Sequence, residues 1–188
     1  MSKESKAAVD AKADASPGDA VIAALAGKYM TFRLDREVYG LPILKVRELI
    51  GMQEITRVPG APAFSRGVIN LRGKVVPVID LRLKFGLAGE APTLNVVIIV
   101  LQIAGPSGAL TMGVVVDEVL EVREIGAAQI EPPPSFGSRS AETDFILGVG
   151  KSERSVVFLL DVDRVLTTNE ITRLTLDGQA PDSGSEAA

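Results

Sequence analysis

The run Gly148-Val149-Gly150-Lys151-Ser152 is the nearest this chain comes to a phosphate-binding loop. Such a loop needs a further glycine five residues before the Gly-Lys pair and a helix after the Ser, so that backbone N–H groups converge on the anion. Position 145 is Phe, and the residues after Ser152 read as strand. The run is therefore expected to be a polar hairpin turn. Asp80 and Asp161 invite a different chemistry, two carboxylates sharing acid and base roles. Each follows an apolar strand and precedes a stretch with helical spacing, LRLKF or VDRVL, where an Asp caps the turn by accepting backbone N–H groups. Asp117-Glu118 has no basic or metal-binding companion in sequence and is expected at the surface end of a strand.

The absences are equally informative. The chain has no cysteine, which removes disulfides, thiol nucleophiles and thiolate metal sites. It has no histidine, which removes the commonest general base and metal ligand and excludes a phosphohistidine relay within this chain. No metal or cofactor is expected. A net charge of −4 gives no broad attraction to phosphate backbones, so nucleic acid is not an expected partner. No segment reaches the ~20 apolar residues that cross a bilayer, and Ala20–Ala26 is short and poorly flanked for a signal peptide. A cytoplasmic protein without membrane insertion is the expectation.

What remains is a candidate binding feature, Asn70-Leu71-Arg72-Gly73. Asn and Gly favour turn conformations, and Arg72 would project from a hairpin tip with five donors in a rigid fork. The element that positions it is written twice. Phe64–Leu81 recurs more loosely as Phe145–Val162, with Phe64/Phe145, Gly67/Gly148, Val75/Val156 and Asp80/Asp161 each 81 apart. Constant spacing without a gap implies two copies of one supersecondary unit. The residue aligned with Arg72 is Glu153, of opposite charge.

The rest of the chain reads as many short strands. Hydrophobic residues make up 46% and aromatics only 4%, so Val, Ile and Leu must fill the core, and with 18 Gly and 11 Pro this favours strands and turns. Strands are expected at Lys28–Leu34 and Glu37–Ile43 around Asp35-Arg36, at Gly67–Leu71 and Lys74–Leu81 around Arg72-Gly73, and at Val96–Ile103, Leu110–Val116 and Asp117–Ile125. Leu44–Ile50 reads as a short helical turn with Leu44, Leu49 and Ile50 inward and Lys45, Arg47 and Glu48 outward. Pro77 marks an edge or a barrel seam, because it has no N–H to give a ladder. Thr167 and Glu170 have capping-box spacing for a short C-terminal helix. Residues 1–27 and 176–188 read as disordered tails, with transient helix at Ala20–Ala26, leaving a folded body at 28–175. Two small β-barrels of roughly 70 residues each, too small to stand alone comfortably, are expected to share an apolar core, with Val96–Ile103 as its candidate.

YGLPILKVRELI (39–50), ITRVPGAPAFSRGVINLRGKVVPVIDLRLKFG (55–86) and MGVVVDEV (112–119), followed by FILGVG and VVFLLDVDRVL, closely resemble the CheW-type bacterial chemotaxis coupling proteins over residues 28–174. The resemblance implies two packed SH3-like five-stranded β-barrels with intertwined strands and no catalytic activity. It implies an adaptor that joins chemoreceptor signalling tips to the regulatory domain of the histidine kinase CheA, in receptor arrays at the inner face of the membrane. Carried over by motif, Ile43, Val46, Glu48, Asn70 and Arg72 would form the receptor-binding wall of a groove between the barrels, with Glu48 and Arg72 able to pair. Kinase contacts are expected at barrel ends without assignable residues. The long N-terminal tail, the turn GPSG at 105–108 and the Pro- and Ser-rich 131–141 depart from the usual pattern. A scaffold of another CheA-like pathway, such as surface motility or second-messenger control, is the alternative within this fold. A small enzyme or nucleotide-binding protein is the alternative outside it.

Overall fold

The structure, a computed structural model, describes residues 17–87, 94–133, 144–152 and 155–176. Among these residues eleven strands form two sheets. Strands β1 (Gly27–Leu34) and β2 (Glu37–Pro42) are followed by a 3-10 turn at Ile43–Lys45 and by β3 (Val46–Gly51). Then come β4 (Ser65–Leu71), β5 (Lys74–Asp80), β6 (Val97–Gly105), β7 (Gly108–Val116), β8 (Glu118–Ile125), β9 (Ile130–Glu131), β10 (Ile146–Ser152) and β11 (Ser155–Leu160). Three helices are α1 (Pro17–Ala24), α2 (Leu81–Lys84) and α3 (Thr168–Leu176).

One sheet has the order β3-β6-β7-β5-β4 and the other β8-β1-β2-β11-β10-β9. These are the two SH3-like barrels. The first, the inner barrel, uses one unbroken stretch of chain. The outer barrel takes its first hairpin from before that stretch and its remaining strands from after it. It therefore has six strands, counting the two-residue β9, where five were expected. Each barrel contains one parallel pair, β5 with β7 (Val78↔Gly113) and β11 with β2 (Leu159↔Gly40).

The 81-residue repeat is real in three dimensions. The Asp80 N–H donates to the Phe64 carbonyl and the Asp161 N–H to the Phe145 carbonyl, both at 2.8 Å. Asp80 caps α2 by accepting from the Arg82 N–H at 2.9 Å, and Asp161 accepts from the Asp163 N–H at 3.0 Å. Both carboxylates are thus committed to turns, as their sequence context requires. Pro77 pairs with Val68 of β4, and the ladder from β5 to β7 starts only at Val78, so the residue without an N–H sits at a seam.

The buried residues fall into three clusters. Val76, Val78, Ile98 and Val100 fill the inner barrel, and Tyr29, Ile125, Val157 and Leu159 fill the outer one. The largest cluster lies between them and joins Phe32, Leu34 and Leu41 to Ile79, Ile99, Leu101 and Ile103. Strand β6 serves two of these at once: its even residues face the inner barrel and its odd residues the shared core, as a strand buried on both faces must. Five of the eight aromatic rings gather at this junction, where Phe85 stacks on Phe145 at 4.6 Å and Tyr39 touches Phe32, Phe85 and Phe158. The shared cluster packs the two barrels against each other.

Several local expectations change. Leu44–Ile50 is a 3-10 turn running into an extended strand, and Leu44 (93% exposed) and Leu49 (44%) point outward, while Ile50 packs on the inner barrel. Successive side chains of a strand alternate, so Leu49 and Ile50 cannot both point inward as a helical turn would let them. In the segment read as a tail, α1 docks through Ile22 and Leu25 on the outer-barrel core, and the Tyr29 hydroxyl bonds the Leu25 carbonyl at 2.5 Å. The capping box forms: Thr167 N–H donates to Glu170 and Glu170 N–H returns to the Thr167 hydroxyl. Residues 1–16 and 177–188, Glu153 and most of the Pro-rich loop lie outside the described residues.

Candidate functional site

The β4–β5 connection is a two-residue hairpin in which Leu71 faces Lys74. Arg72 and Gly73 both have positive φ, 51° and 82°, the backbone of a type I′ turn that suits the right-handed twist of the flanking strands. Gly73 takes this conformation without strain. Arg72 does not, since a side chain in the left-handed region costs on the order of 1 kcal/mol. Asn70 offsets part of that strain: its Oδ1 accepts the Gly73 N–H at 2.8 Å. Asn70, itself exposed, thus also shapes the turn.

Arg72 Nη1 and Nη2 meet Glu48 Oε1 and Oε2, each at 2.8 Å, a bidentate fork-on-carboxylate pair. The hydrogen bond and the charge of Glu48 raise the Arg72 pKa above its already high ordinary value. Glu48 lies on β3 and Arg72 at the tip of β4–β5, the two terminal strands of the inner sheet. The pair closes the barrel on one side, as the lone bridge Thr56↔Val68 does on another. The Arg72 side chain nonetheless stays 76% exposed.

Val46 precedes Glu48 on the same strand and is half-buried against the shared core. Ile43, also half-buried, sits on the 3-10 turn that carries the chain from the outer barrel into the inner one, beside the fully displayed Leu44. The structure thus places Ile43, Val46 and Glu48 along one crossover and strand, and brings Glu48 to Arg72 from 24 positions away. Asn70 joins them only through the turn.

Sequence reasoning missed the ion pairs around the barrel junction, one of which flanks this wall. Lys45 Nζ lies 2.6 Å from Asp163 Oδ2, across the barrel junction. Asp117, expected without a basic companion, pairs with Arg82 in a largely buried contact, and Glu118 pairs with Arg33. A signal was present: Arg82 and Asp163 each stand two residues beyond a capping Asp, 81 apart like the rest of the repeat. Among the described residues no group of His, Cys, Asp or Glu could hold a metal ion, and no helix is long and apolar enough to cross a membrane.

Two SH3-like barrels fused through a shared core, displaying a charged hairpin tip beside an apolar crossover, define a class of binding module built from surfaces. The chain belongs to the CheW-like domain family, whose model matches residues 28–170. It is 38% identical over 159 residues to the chemotaxis protein CheW of Klebsiella aerogenes, covering 82% of this chain and 93% of that one. It is 34% identical over 146 residues to the protein FrzA of Myxococcus xanthus, covering 75% and 86%. Among solved structures it resembles the scaffolding protein CheW of Thermoanaerobacter tengcongensis, with a TM-score of 0.68, 34% identity, and 78% and 96% of the two chains covered.

Proposed function

We propose that this chain, a non-catalytic chemotaxis adaptor, receives a helical chemoreceptor signalling tip on the wall formed by Ile43, Val46, Glu48, Asn70 and Arg72, and couples it to the histidine kinase CheA. The observation that carries the reading is the state of Arg72. It holds a left-handed backbone where glycine would be easier, and its guanidinium is fixed by both oxygens of Glu48 while still exposed. An exposed ion pair contributes little to folding. A strained, pre-ordered fork at the surface therefore makes sense as a contact for another molecule. Apolar Ile43, Leu44 and Val46 beside it suit the apolar face of a helix, with the ion pair at the rim. The receptor would hold the adaptor at the inner face of the membrane without insertion. Coupling would then mean that receptor state shifts the relative stability of kinase arrangements through this bridge.

The experiment is reconstitution of kinase and receptor with wild-type, Arg72→Ala and Arg72→Gly adaptor. Arg72→Gly relieves the backbone and should fold at least as stably as wild type. Both variants should bind receptor about tenfold or more weakly and fail to activate the kinase. Wild-type binding and activation by both would sink the site assignment.

A further inference from the structure

Two ion-pair clasps hold the barrels together at equivalent points of the repeat, with opposite polarity. In one, Asp163 Oδ1 accepts the Ala104 N–H at 2.8 Å while Oδ2 takes the Lys45 ammonium at 2.6 Å. In the other, Asp117 Oδ2 accepts the Asp35 N–H at 2.7 Å and also takes the Arg82 guanidinium. Ala104 and Asp35 occupy matching places, each four residues beyond the strand residue that faces Gly113 or Gly40 (Val100 and Thr31). Those glycines face Val78 and Leu159, which are 81 apart. In the first clasp the carboxylate comes from the turn after the hairpin and the cation from the inter-barrel crossover. In the second, the two are exchanged.

The clasps also differ in what they hold. Asp117 leads into β8, which carries none of the proposed contact residues. Lys45 stands between Ile43 and Val46, so its clasp bears on the turn that displays Ile43 and Leu44 and on the start of the strand that carries Glu48. We infer that Asp163 is a positioning residue for the partner-binding wall: by holding Lys45 and the end of β6 together, it fixes the crossover as one surface beside the Glu48–Arg72 fork. This rests on the function proposed above. Both partners are about one-third exposed, so the contribution is to geometry more than to global stability.

Asp163→Asn keeps an oxygen for the Ala104 N–H and removes the charge that holds Lys45. Asp117→Asn makes the same change in the other clasp. Amide hydrogen exchange on the full chain, and affinity for a purified cytoplasmic chemoreceptor fragment, are measured for both, with Arg72→Ala in parallel. Asp163→Asn should speed exchange across residues 44–48 by about tenfold and weaken fragment binding by about tenfold. Asp117→Asn should leave exchange at those residues and binding near wild type. Unchanged exchange in Asp163→Asn, or equal acceleration in Asp117→Asn, overturns the inference. So does faster exchange with wild-type affinity while Arg72→Ala weakens binding. Wild-type affinity in all three variants would instead remove the proposed receptor site, and this inference with it.

Discussion

The edge strands of the two barrels meet their hairpins differently. Val46 and Val119 play the same part, each half-buried against the shared core at the start of an edge strand, and each is followed two residues later by a glutamate. In the inner barrel that glutamate, Glu48, reaches across to Arg72 on the β4–β5 tip. In the outer barrel Glu121 pairs within its own strand, with Arg123 at 2.6 Å, and Arg123 continues to the Ser155 hydroxyl at 3.3 Å near the β10–β11 tip. One barrel uses its acid to prop an exposed fork, while the other satisfies it locally. What the copies share builds the fold; where they diverge, one of them displays an exposed charged fork.

The most disruptive way to break the comparison is at its paired glycines. Gly67 has φ +127°, and a Cβ there would lie 2.0 Å from the Thr56 carbonyl oxygen. Gly148 has ordinary φ, and a Cβ would lie 2.9 Å from the Glu131 carbonyl oxygen. Gly67→Ala should cost about 3–5 kcal/mol and Gly148→Ala about 1–3 kcal/mol, read from denaturant midpoints. Equal losses would mean that the backbone difference between the copies is without energetic weight. A middle-sized effect is expected at the caps. Asp80 is buried, caps α2 and lies 3.1 Å from Arg66, whereas position 147 of the second copy is Leu and Asp161 is more open. Asp80→Ala should cost about 2 kcal/mol and Asp161→Ala about 1 kcal/mol.

The smallest effect lies where the copies join. Glu170, at the start of α3, pairs with Lys84 of α2 at 2.5 Å. Burial pushes its carboxyl up, but the bonds from Lys84 and from the Thr167 N–H and hydroxyl outweigh this and leave its pKa below the ordinary 4.5. A depressed acid stabilises the fold above its unfolded pKa and loses that contribution as pH falls through the folded value. Wild type should therefore lose a small increment of stability below pH 4.5 that Glu170→Gln lacks. Parallel acid limbs in thermal melts of the two proteins would contradict it.

Much of this was legible in the sequence because it is local. The Arg72-Gly73 turn, the two capping aspartates, the Thr167–Glu170 box and the doubly buried Val96–Ile103 all follow from patterns a few residues wide. The bulge at Val46–Glu48 was not legible, and neither was the outward turn of Leu49, since a short run such as Leu49-Ile50 fits a helical turn as well as a strand. The repeat marked Arg82 but not its partner Asp117, 35 positions away. The docking of α1 was hidden in an Ala-rich stretch whose two larger apolar residues, Ile22 and Leu25, find their partners only after the outer barrel exists.

The exchange of hairpins also sets an order in time. Every strand of the inner barrel lies within residues 46–116, so it can close as soon as that stretch is available. The hairpin β1–β2 has no partner so near in sequence: β1 waits for β8 and Val38 of β2 for Val157, both beyond the inner-barrel strands. Contacts that span so much chain form slowly, and an unpaired strand edge invites wrong partners meanwhile. The earliest strands made are thus among the last to be secured, and the interval before β11 arrives is when a growing chain is most open to misassembly.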